Sequence, residues 1–277
     1  MTVTTTEISD HIGLEVTGMT GADLVGATAA EQLRTALDRY GVIVYREAHI
    51  TDADLVSLSR RLGEVVVAPF GGEKEFPEVQ AVTRDPSKSV LAAYREGTFF
   101  WHIDGATDAV PQQATLLTAK VVADDGGDTE FANTFAAYEA LSEAERAEID
   151  GLQVVHSFAH SQELANPDPT PKQRAAWDRV PTRVHPLVWT RANGRRSLLI
   201  GATAASIVGW SEEDGRALLD RLVEWSSQPR FALRHQWKAG DLVVWDNTGM
   251  LHRAQPYDAG SSRLMHRTTL VGEEAVA

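Results

Sequence analysis

Two histidines, an aspartate and an arginine carry the most definite chemistry in this chain. His102 and Asp104 are two positions apart, so in an extended segment their side chains project to the same face and can reach one ion. His252 lies far downstream, and only the fold can bring it close. Two imidazoles and one carboxylate on one face of a metal leave the opposite face open, as in non-haem Fe(II) oxygenases. The set therefore predicts a mononuclear iron site, with Arg263 just beyond the second histidine.

Composition limits the kinds of ligand and partner. The 277 residues include no cysteine, so disulfides and thiolate ligands are excluded and any metal must use nitrogen and oxygen donors. The 26 basic and 39 acidic residues give a net charge of −13, and no basic stripe with interleaved aromatics is present, which argues against nucleic acid as a partner. An anionic ligand would need arginines placed locally.

No segment of the sequence looks like a membrane or secretion signal. The first residues lack a basic start and an apolar stretch, and no apolar run approaches the roughly 20 residues that span a bilayer. We expect a cytoplasmic protein with no membrane partner. Because no repeat or convincing linker is visible, we expect a single domain over residues 1–277. We also expect a homo-oligomer, either a dimer or a tetramer.

Capping patterns predict helices that start at Thr28, Thr51, Ser142 and Ser211, the first of them ending at Gly41. Apolar or alternating runs predict strands at 41–46, 115–121, 197–200, 231–237 and 242–245. Two stretches with glycine or proline, 70–98 and 160–183, predict long loops of the kind that cover active sites. Many short strands with few helices favour an α+β domain built on a β-sandwich or barrel.

Five segments, read in order, carry a resemblance to a known family. They are Trp101-His102-Ile103-Asp104, Gly126-Gly127-Asp128-Thr129, His185-Pro186, Trp245-Asp246-Asn247 and the block from His252 to Arg267. Together they resemble the taurine dioxygenase/2,4-dichlorophenoxyacetate dioxygenase family of Fe(II)- and 2-oxoglutarate-dependent oxygenases. The resemblance extends over nearly the whole chain, from the helix–strand–helix opening at residues 28–63 to Gly272.

The resemblance implies a fold, a ligand set and a reaction. The fold would be a double-stranded β-helix (jelly-roll) with flanking helices and long active-site lid loops. The iron ligands would be His102, Asp104 and His252. Arg263 would pair with the distal carboxylate of 2-oxoglutarate, helped by the Thr129 hydroxyl. The reaction would use O2 to hydroxylate a substrate with release of succinate and CO2, and a hydroxyl placed beside a heteroatom would lead to C–S or C–O cleavage.

Each of these residues also has a purely structural explanation. His102-Ile103-Asp104 taken alone is equally typical of a histidine beside a helix-capping aspartate. Thr129 could simply start a strand, and Arg263 could form a surface salt bridge. The joint occurrence of the motifs in order favours the functional interpretation.

Departures from the family pattern bear on the substrate. Arg267 matches an arginine that contacts the substrate anion in members acting on sulfonates, which favours a small anionic substrate; alternatively, it only braces the 2-oxoglutarate site. The polar contacts of taurine-acting members are replaced here by residues 68–71 and 98–101, which are mostly apolar. A buried sulfonate would be left partly unsatisfied. We therefore expect a larger substrate with an apolar or aromatic body and one anionic group. The candidate walls are Phe70, Phe100 and Phe158.

Three other functions remain open from the sequence. One is a taurine or alkylsulfonate dioxygenase proper. A second is a hydrolase that binds Zn²⁺ on the same three ligands and activates water, which would leave Arg263 without a role. A third is a barrel that binds a small ligand and has lost its chemistry, although the intact ligand set argues against it.

Overall fold

Helices and strands are mixed along the described chain, residues 2–67 and 72–276 of this computed structural model. The strands are β1 (Thr4–Glu7), β2 (Leu14–Thr17), β3 (Val42–Tyr45), β4 (Gln80–Val82), β5 (Ala114–Val121), β6 (Thr129–Asn133), β7 (Gln153–His156), β8 (Arg183–Pro186), β9 (Val188–Thr190), β10 (Arg196–Leu198), β11 (Ala204–Ile207), β12 (Ala232–His235), β13 (Leu242–Asp246), β14 (Met250–Ala254) and β15 (Leu264–Thr269). The α-helices are α1 (Gly21–Leu24), α2 (Ala27–Tyr40), α3 (Asp52–Leu62), α4 (Thr134–Glu139), α5 (Glu143–Ile149), α6 (Phe158–Ala165), α7 (Pro171–Trp177) and α8 (Glu212–Ser226). A 3₁₀ helix spans Ala92–Phe99. The predicted α+β class is confirmed.

Two sheets pack face to face and define the interior. The larger has seven strands in the order β1-β2-β3-β13-β5-β15-β4, and the facing sheet has three in the order β12-β6-β14. One buried apolar cluster joins them, with Leu117, Val243 and Met265 from the larger sheet and Phe131 and Leu233 from the smaller. Apolar burial of this kind is the main favourable contribution to folding.

The central strands of the larger sheet are covered on both faces. In β13, Val243 packs toward the smaller sheet, whereas Leu242 and Val244 belong to a second cluster that includes residues of α1, α2 and α3. The first six residues of β5 are likewise all buried. The alternation at 115–121 therefore separates two buried faces rather than a buried face from an exposed one. Within the described ranges, every helix is too short or too polar to cross a bilayer.

Three of the four predicted helix starts are confirmed. The Thr51, Ser142 and Ser211 side chains each accept a hydrogen bond from the backbone three residues later. The prediction for Thr28 is wrong, because α2 begins at Ala27 with Gly26 before it. That helix does end before Gly41, as expected. Strands also lie within or across every range predicted for them.

The two predicted long loops contain regular structure, so that prediction is wrong. Residues 160–183 include most of α6 and all of α7, where Thr170 and Gln173 form a capping box around Pro171. Proline at the first helical position lacks only a donor that would be unpaired there anyway, so it starts a helix rather than preventing one. Residues 70–98 include β4 and most of the 3₁₀ helix.

One glycine allows a close backbone approach behind His102. Gly201 has φ +108°, and a Cβ there would lie 2.6 Å from the Trp101 carbonyl oxygen and 3.2 Å from His102 Cα. The next residue, Ala202, donates its N–H to the same Trp101 carbonyl at 2.7 Å. The segment that carries His102 is thus held against a backbone that tolerates no side chain at position 201.

We expect Gly201→Ala to destabilise the fold more than Gly194→Ala. Gly194 also has a positive φ, +82°, but a Cβ there would meet nothing within 4 Å. The control should lose about 1 kcal/mol of unfolding free energy from backbone strain alone, and Gly201→Ala about 2–3 kcal/mol. Urea denaturation measures both, and equal losses would contradict the close approach.

Candidate metal and anion site

A pair of backbone hydrogen bonds joins the two histidine segments. The His102 N–H donates to the His252 carbonyl at 3.0 Å, and the His252 N–H donates to the His102 carbonyl at 2.9 Å. His252 lies in β14, whereas His102 follows the 3₁₀ helix. Cross-strand partners project to the same side. The two imidazole rings accordingly lie next to each other, with centroids 4.2 Å apart.

Asp104 completes a set of three converging donors. Its Oδ1 lies 3.9 Å from His102 Nε2, and its Oδ2 lies 3.7 Å from His252 Nε2. One ligand atom from each residue falls within 4.8 Å of the others. The structure therefore brings together the three residues that the sequence predicted as metal ligands.

The protonation states of these groups suit a cation. His102 Nδ1 lies 2.8 Å from the Phe100 carbonyl, which favours a proton on Nδ1 and a free lone pair on Nε2. Burial, with a smaller effect from His102, lowers the pKa of His252 to about 3, so that imidazole is neutral. For Asp104, burial would raise the pKa, but Arg267 and the two histidines outweigh it and hold the pKa well below its usual range. Two imidazole nitrogens and one carboxylate on one side fit a divalent metal.

The Asp104 carboxylate is also positioned by hydrogen bonds. The Thr115 hydroxyl in β5 donates to Oδ2 at 3.2 Å, and Arg267 Nη1 donates to the same oxygen at 3.4 Å. Groups that orient a metal-binding carboxylate are part of the site, because they fix the donor before the metal binds.

Arg263 and Thr129 occupy the same cavity as the histidines. Arg263 is 3% exposed, donates from Nη2 to the Gly127 carbonyl at 3.1 Å, and places its guanidinium 4.9 Å from the Tyr257 ring centroid. Its burial excludes a surface salt bridge. The buried Thr129 hydroxyl accepts a hydrogen bond from Trp237 Nε1 at 2.9 Å, which leaves its own proton free to donate. Both groups can therefore donate to a bound carboxylate.

The cavity is built from both sheets. The larger sheet contributes Leu117, Trp245, Val82 and Arg267, and the smaller contributes Thr129, His252 and Ala254. The remaining lining residues are Arg95, Thr98, His102, Tyr257 and Arg263.

Arg267 reaches two partners in this cavity. Besides its contact with Asp104, its Nη2 donates to Gln80 Oε1 at 2.8 Å. It lines the cavity together with Arg263. It lies next to the donors and its charge acts on Asp104 directly.

Of the phenylalanines predicted as cavity walls, Phe100 and Phe158 do not line this cavity. Phe70 lies outside the described residues. Phe100 lines another cavity together with Phe99 and Trp101. Its backbone carbonyl is the group that contacts His102. Phe158 starts α6 and packs against Tyr94, with ring centroids 5.8 Å apart.

Several lining residues were missed by sequence reasoning. Arg95 and Thr98 belong to the 3₁₀ helix, in a stretch predicted as loop, and no motif marks them. Tyr257 lies in the turn-rich segment after β14. Arg95 is one of four basic residues in the stretch 70–98, so composition did not single it out.

Comparisons with known proteins agree with the geometry. The family model described as "Taurine catabolism dioxygenase TauD, TfdA family" matches residues 4–269. The alpha-ketoglutarate-dependent 2,4-dichlorophenoxyacetate dioxygenase of Burkholderia sp. (strain RASC) is 34% identical, with 90% of this chain and 89% of the relative covered. The alpha-ketoglutarate-dependent sulfate ester dioxygenase of Pseudomonas putida is 30% identical, with coverage of 97% and 89%.

A solved structure shares the fold over its full length. The crystal structure of AAD-2 in complex with Mn(II) and N-oxalylglycine has a TM-score of 0.82 and 29% identity, and 100% of each chain is covered. The predicted resemblance is confirmed by the family match and by the similarity of the relatives over most of their lengths. This chain belongs to the taurine catabolism dioxygenase TauD/TfdA family.

Proposed function

We propose that this protein is an Fe(II)- and 2-oxoglutarate-dependent dioxygenase that hydroxylates a small organic acid and releases succinate and CO2. The convergence of His102, Asp104 and His252 beside a buried Arg263 carries the proposal. A zinc hydrolase would use the three donors alone and leave Arg263 and Thr129 without a function. A 2-oxoacid with a second carboxylate uses all five residues.

The metal would be held by Nε2 of His102, Nε2 of His252 and the Asp104 carboxylate. Bound iron supplies the activation of O2 that couples decarboxylation of 2-oxoglutarate to insertion of one oxygen atom into a substrate C–H bond. The second oxygen atom goes into succinate, so substrate, 2-oxoglutarate and O2 give hydroxylated product, succinate and CO2. The protein contributes the donor geometry and the environment.

Arg263 and Thr129 would hold the far carboxylate of 2-oxoglutarate. A guanidinium can donate two parallel hydrogen bonds to a carboxylate, and its burial makes the pair stronger than at the surface. Burial lowers the pKa of Arg263, but Tyr257 acts in the opposite direction and favours its charge. Apolar neighbours such as Leu117 and Trp245 would keep water from the reacting groups.

We propose that the two facing sheets form a double-stranded β-helix. Along the chain, β12 and β14 lie in the smaller sheet, while β13 and β15 lie in the larger one. The pair β5 and β6 is divided in the same way. Successive strands that alternate between two packed sheets are the jelly-roll arrangement. It supports the site by placing donors from both sheets around one interior.

The relatives and the cavity support an acid with an apolar body as substrate. The relatives named above act on a phenoxyacetate and on sulfate esters. In this chain Arg267 would contact the acid group, and Val82, Leu117 and Trp245 offer apolar surface nearby. Taurine is a poorer fit, since residues 98–101 offer the cavity only the Thr98 side chain, whose hydroxyl already donates to the Arg95 carbonyl at 2.6 Å.

Three predictions about the organisation and location of the protein remain predictions. They are the single domain over residues 1–277, the homo-oligomer and the cytoplasmic location.

Loss of the metal ligand and loss of Arg263 should have different effects. In anaerobic titrations, His102→Ala should abolish the weak visible charge-transfer band of the Fe(II)–2-oxoglutarate complex. Arg263→Gln should keep the band but weaken 2-oxoglutarate binding about 10- to 100-fold, the range for losing a hydrogen bond to a charged group.

Arg253→Gln is the matched control for that titration. Arg253 follows His252 in β14 but stacks on Trp101 and pairs with Glu130, away from the cavity that contains the two histidines. It should bind 2-oxoglutarate like the wild type. If Arg263→Gln also matched the wild type, Arg263 would have no role in co-substrate binding.

Turnover should require O2 and 2-oxoglutarate and should favour phenoxy acids or alkyl sulfates over taurine. With 2,4-dichlorophenoxyacetate, hydroxylation beside the ether oxygen would give a hemiacetal whose C–O bond breaks, releasing 2,4-dichlorophenol and glyoxylate. We expect phenol and succinate in equal amounts. Anaerobic turnover would establish the hydrolase alternative, and taurine as the best substrate would overturn the proposed substrate class.

A further inference from the structure

Arg95 is a buried guanidinium that the proposed mechanism does not use. It is 8% exposed and lines the same cavity as the metal donors and Arg267. Within residues 2–67 and 72–276, it donates one hydrogen bond, from Nη2 to the Ala81 carbonyl at 3.2 Å, and its Nε has no partner. No acidic side chain of these ranges forms an ion pair with it.

A buried arginine in this state is costly unless an anion joins it. Charged side chains are seldom buried without a partner, because a desolvated charge loses its interaction with water. Burial lowers the pKa of Arg95 to about 10, and the charge of Arg267 acts in the same direction. The two arginines are therefore better explained as groups that bind an anion than as groups that stabilise the fold.

Arg95 and Arg267 are anchored side by side on one strand. Arg95 binds the carbonyl of Ala81, and Arg267 binds the side chain of Gln80, the preceding residue of β4. The Nε of Arg267 is also buried without a partner in the described ranges. Arg267 is partly neutralised by Asp104, whereas Arg95 has no such neighbour within ion-pair distance in the same ranges.

A different pair of groups provides the site for 2-oxoglutarate. Arg263 is anchored on Gly127, and Thr129 starts β6 in the smaller sheet. The anchors of Arg95 and Arg267 lie instead on β4, the edge strand of the larger sheet. The two groups of side chains are thus anchored at different parts of the cavity wall, one at Gly127 just before β6 and the other on β4.

We propose that Arg95, together with Arg267, binds the oxyanion of the primary substrate, a carboxylate or sulfate ester on an apolar body. The inference rests on the proposed function and adds a second arginine to the substrate site. Two guanidiniums can share an oxyanion with two or more oxygens, each through its own N–H groups. The same charges would repel the ammonium group of taurine, which favours acids without an amine.

The test measures binding of three compounds to the anaerobic Fe(II)–2-oxoglutarate protein by calorimetry. They are 2,4-dichlorophenoxyacetate, hexyl sulfate and the neutral 2,4-dichlorophenoxyacetamide. Arg95→Gln should weaken binding of at least one of the two anions about 10- to 100-fold and leave the amide unchanged. The anion that is affected identifies the acid group that the site prefers. Arg95→Lys should retain part of the affinity, because it keeps the charge but lacks the two-pronged donor.

Stability and co-substrate affinity separate this role from others. Without ligands, Arg95→Gln should melt no lower than the wild type, because it removes a desolvated charge. If Arg95 instead stabilised the fold, the variant would melt at a lower temperature. Its affinity for 2-oxoglutarate should equal that of the wild type. Arg39→Gln, in which an exposed arginine paired with Glu7 is changed, serves as the matched control and should behave as the wild type throughout.

Each remaining outcome overturns the inference. Unchanged anion binding in Arg95→Gln would show that Arg95 binds no substrate anion. A lower melting temperature would assign Arg95 to the stability of the fold. Weakened 2-oxoglutarate binding would assign it to the co-substrate site. If the wild type bound neither anion, the substrate class would be wrong, yet an intact charge-transfer band would leave the dioxygenase function standing. Absence of the band itself would reject the proposed function.

Discussion

The reciprocal backbone hydrogen bonds between His102 and His252 hold the site together. They join a segment after the 3₁₀ helix to β14, and so they bring two imidazoles that are distant in sequence to adjacent positions. Asp104 then needs only the two-residue step of an extended chain to reach both rings. Gly201 supports this arrangement from behind, where no side chain would fit. The metal site is thus a consequence of strand pairing rather than of side-chain contacts alone.

A second constraint is the amount of positive charge in a buried cavity. Three arginines, Arg95, Arg263 and Arg267, line it, and one carboxylate, Asp104, lies beside the two histidines. Burial would raise the pKa of Asp104, but Arg267 and the two histidines lower it and keep the carboxylate ionised for a metal. The charges of Arg95 and Arg263 remain available for anions.

The sequence predicts those features whose cause is local or chemical. Helix starts at Thr51 and Ser142 follow from a side chain that accepts a nearby N–H, and the structure has them there. The candidate metal ligands His102, Asp104 and His252 are residue types that bind iron, and the order of the surrounding family motifs favoured that role over a structural one. None of these predictions required knowledge of which elements pack together.

Other features depend on packing and could not be predicted in the same way. The direction of the Phe100 side chain depends on the path of the backbone out of the 3₁₀ helix, which no motif specifies. Arg95 is functional in the proposal only because that helix packs beside β4. The helix at Pro171 was missed because its proline-rich surroundings indicated a loop, although Thr170 caps it. In each case a tertiary or positional effect outweighed the local composition.

The most direct measurement of the central claim is anomalous diffraction from crystals grown without oxygen in the presence of Fe(II) and N-oxalylglycine. One metal peak should lie about 2.0–2.3 Å from Nε2 of His102, Nε2 of His252 and one Asp104 oxygen. The distal carboxylate of the inhibitor should contact Arg263. A metal peak that lacks any of the three donors, or an inhibitor carboxylate away from Arg263, would contradict the account.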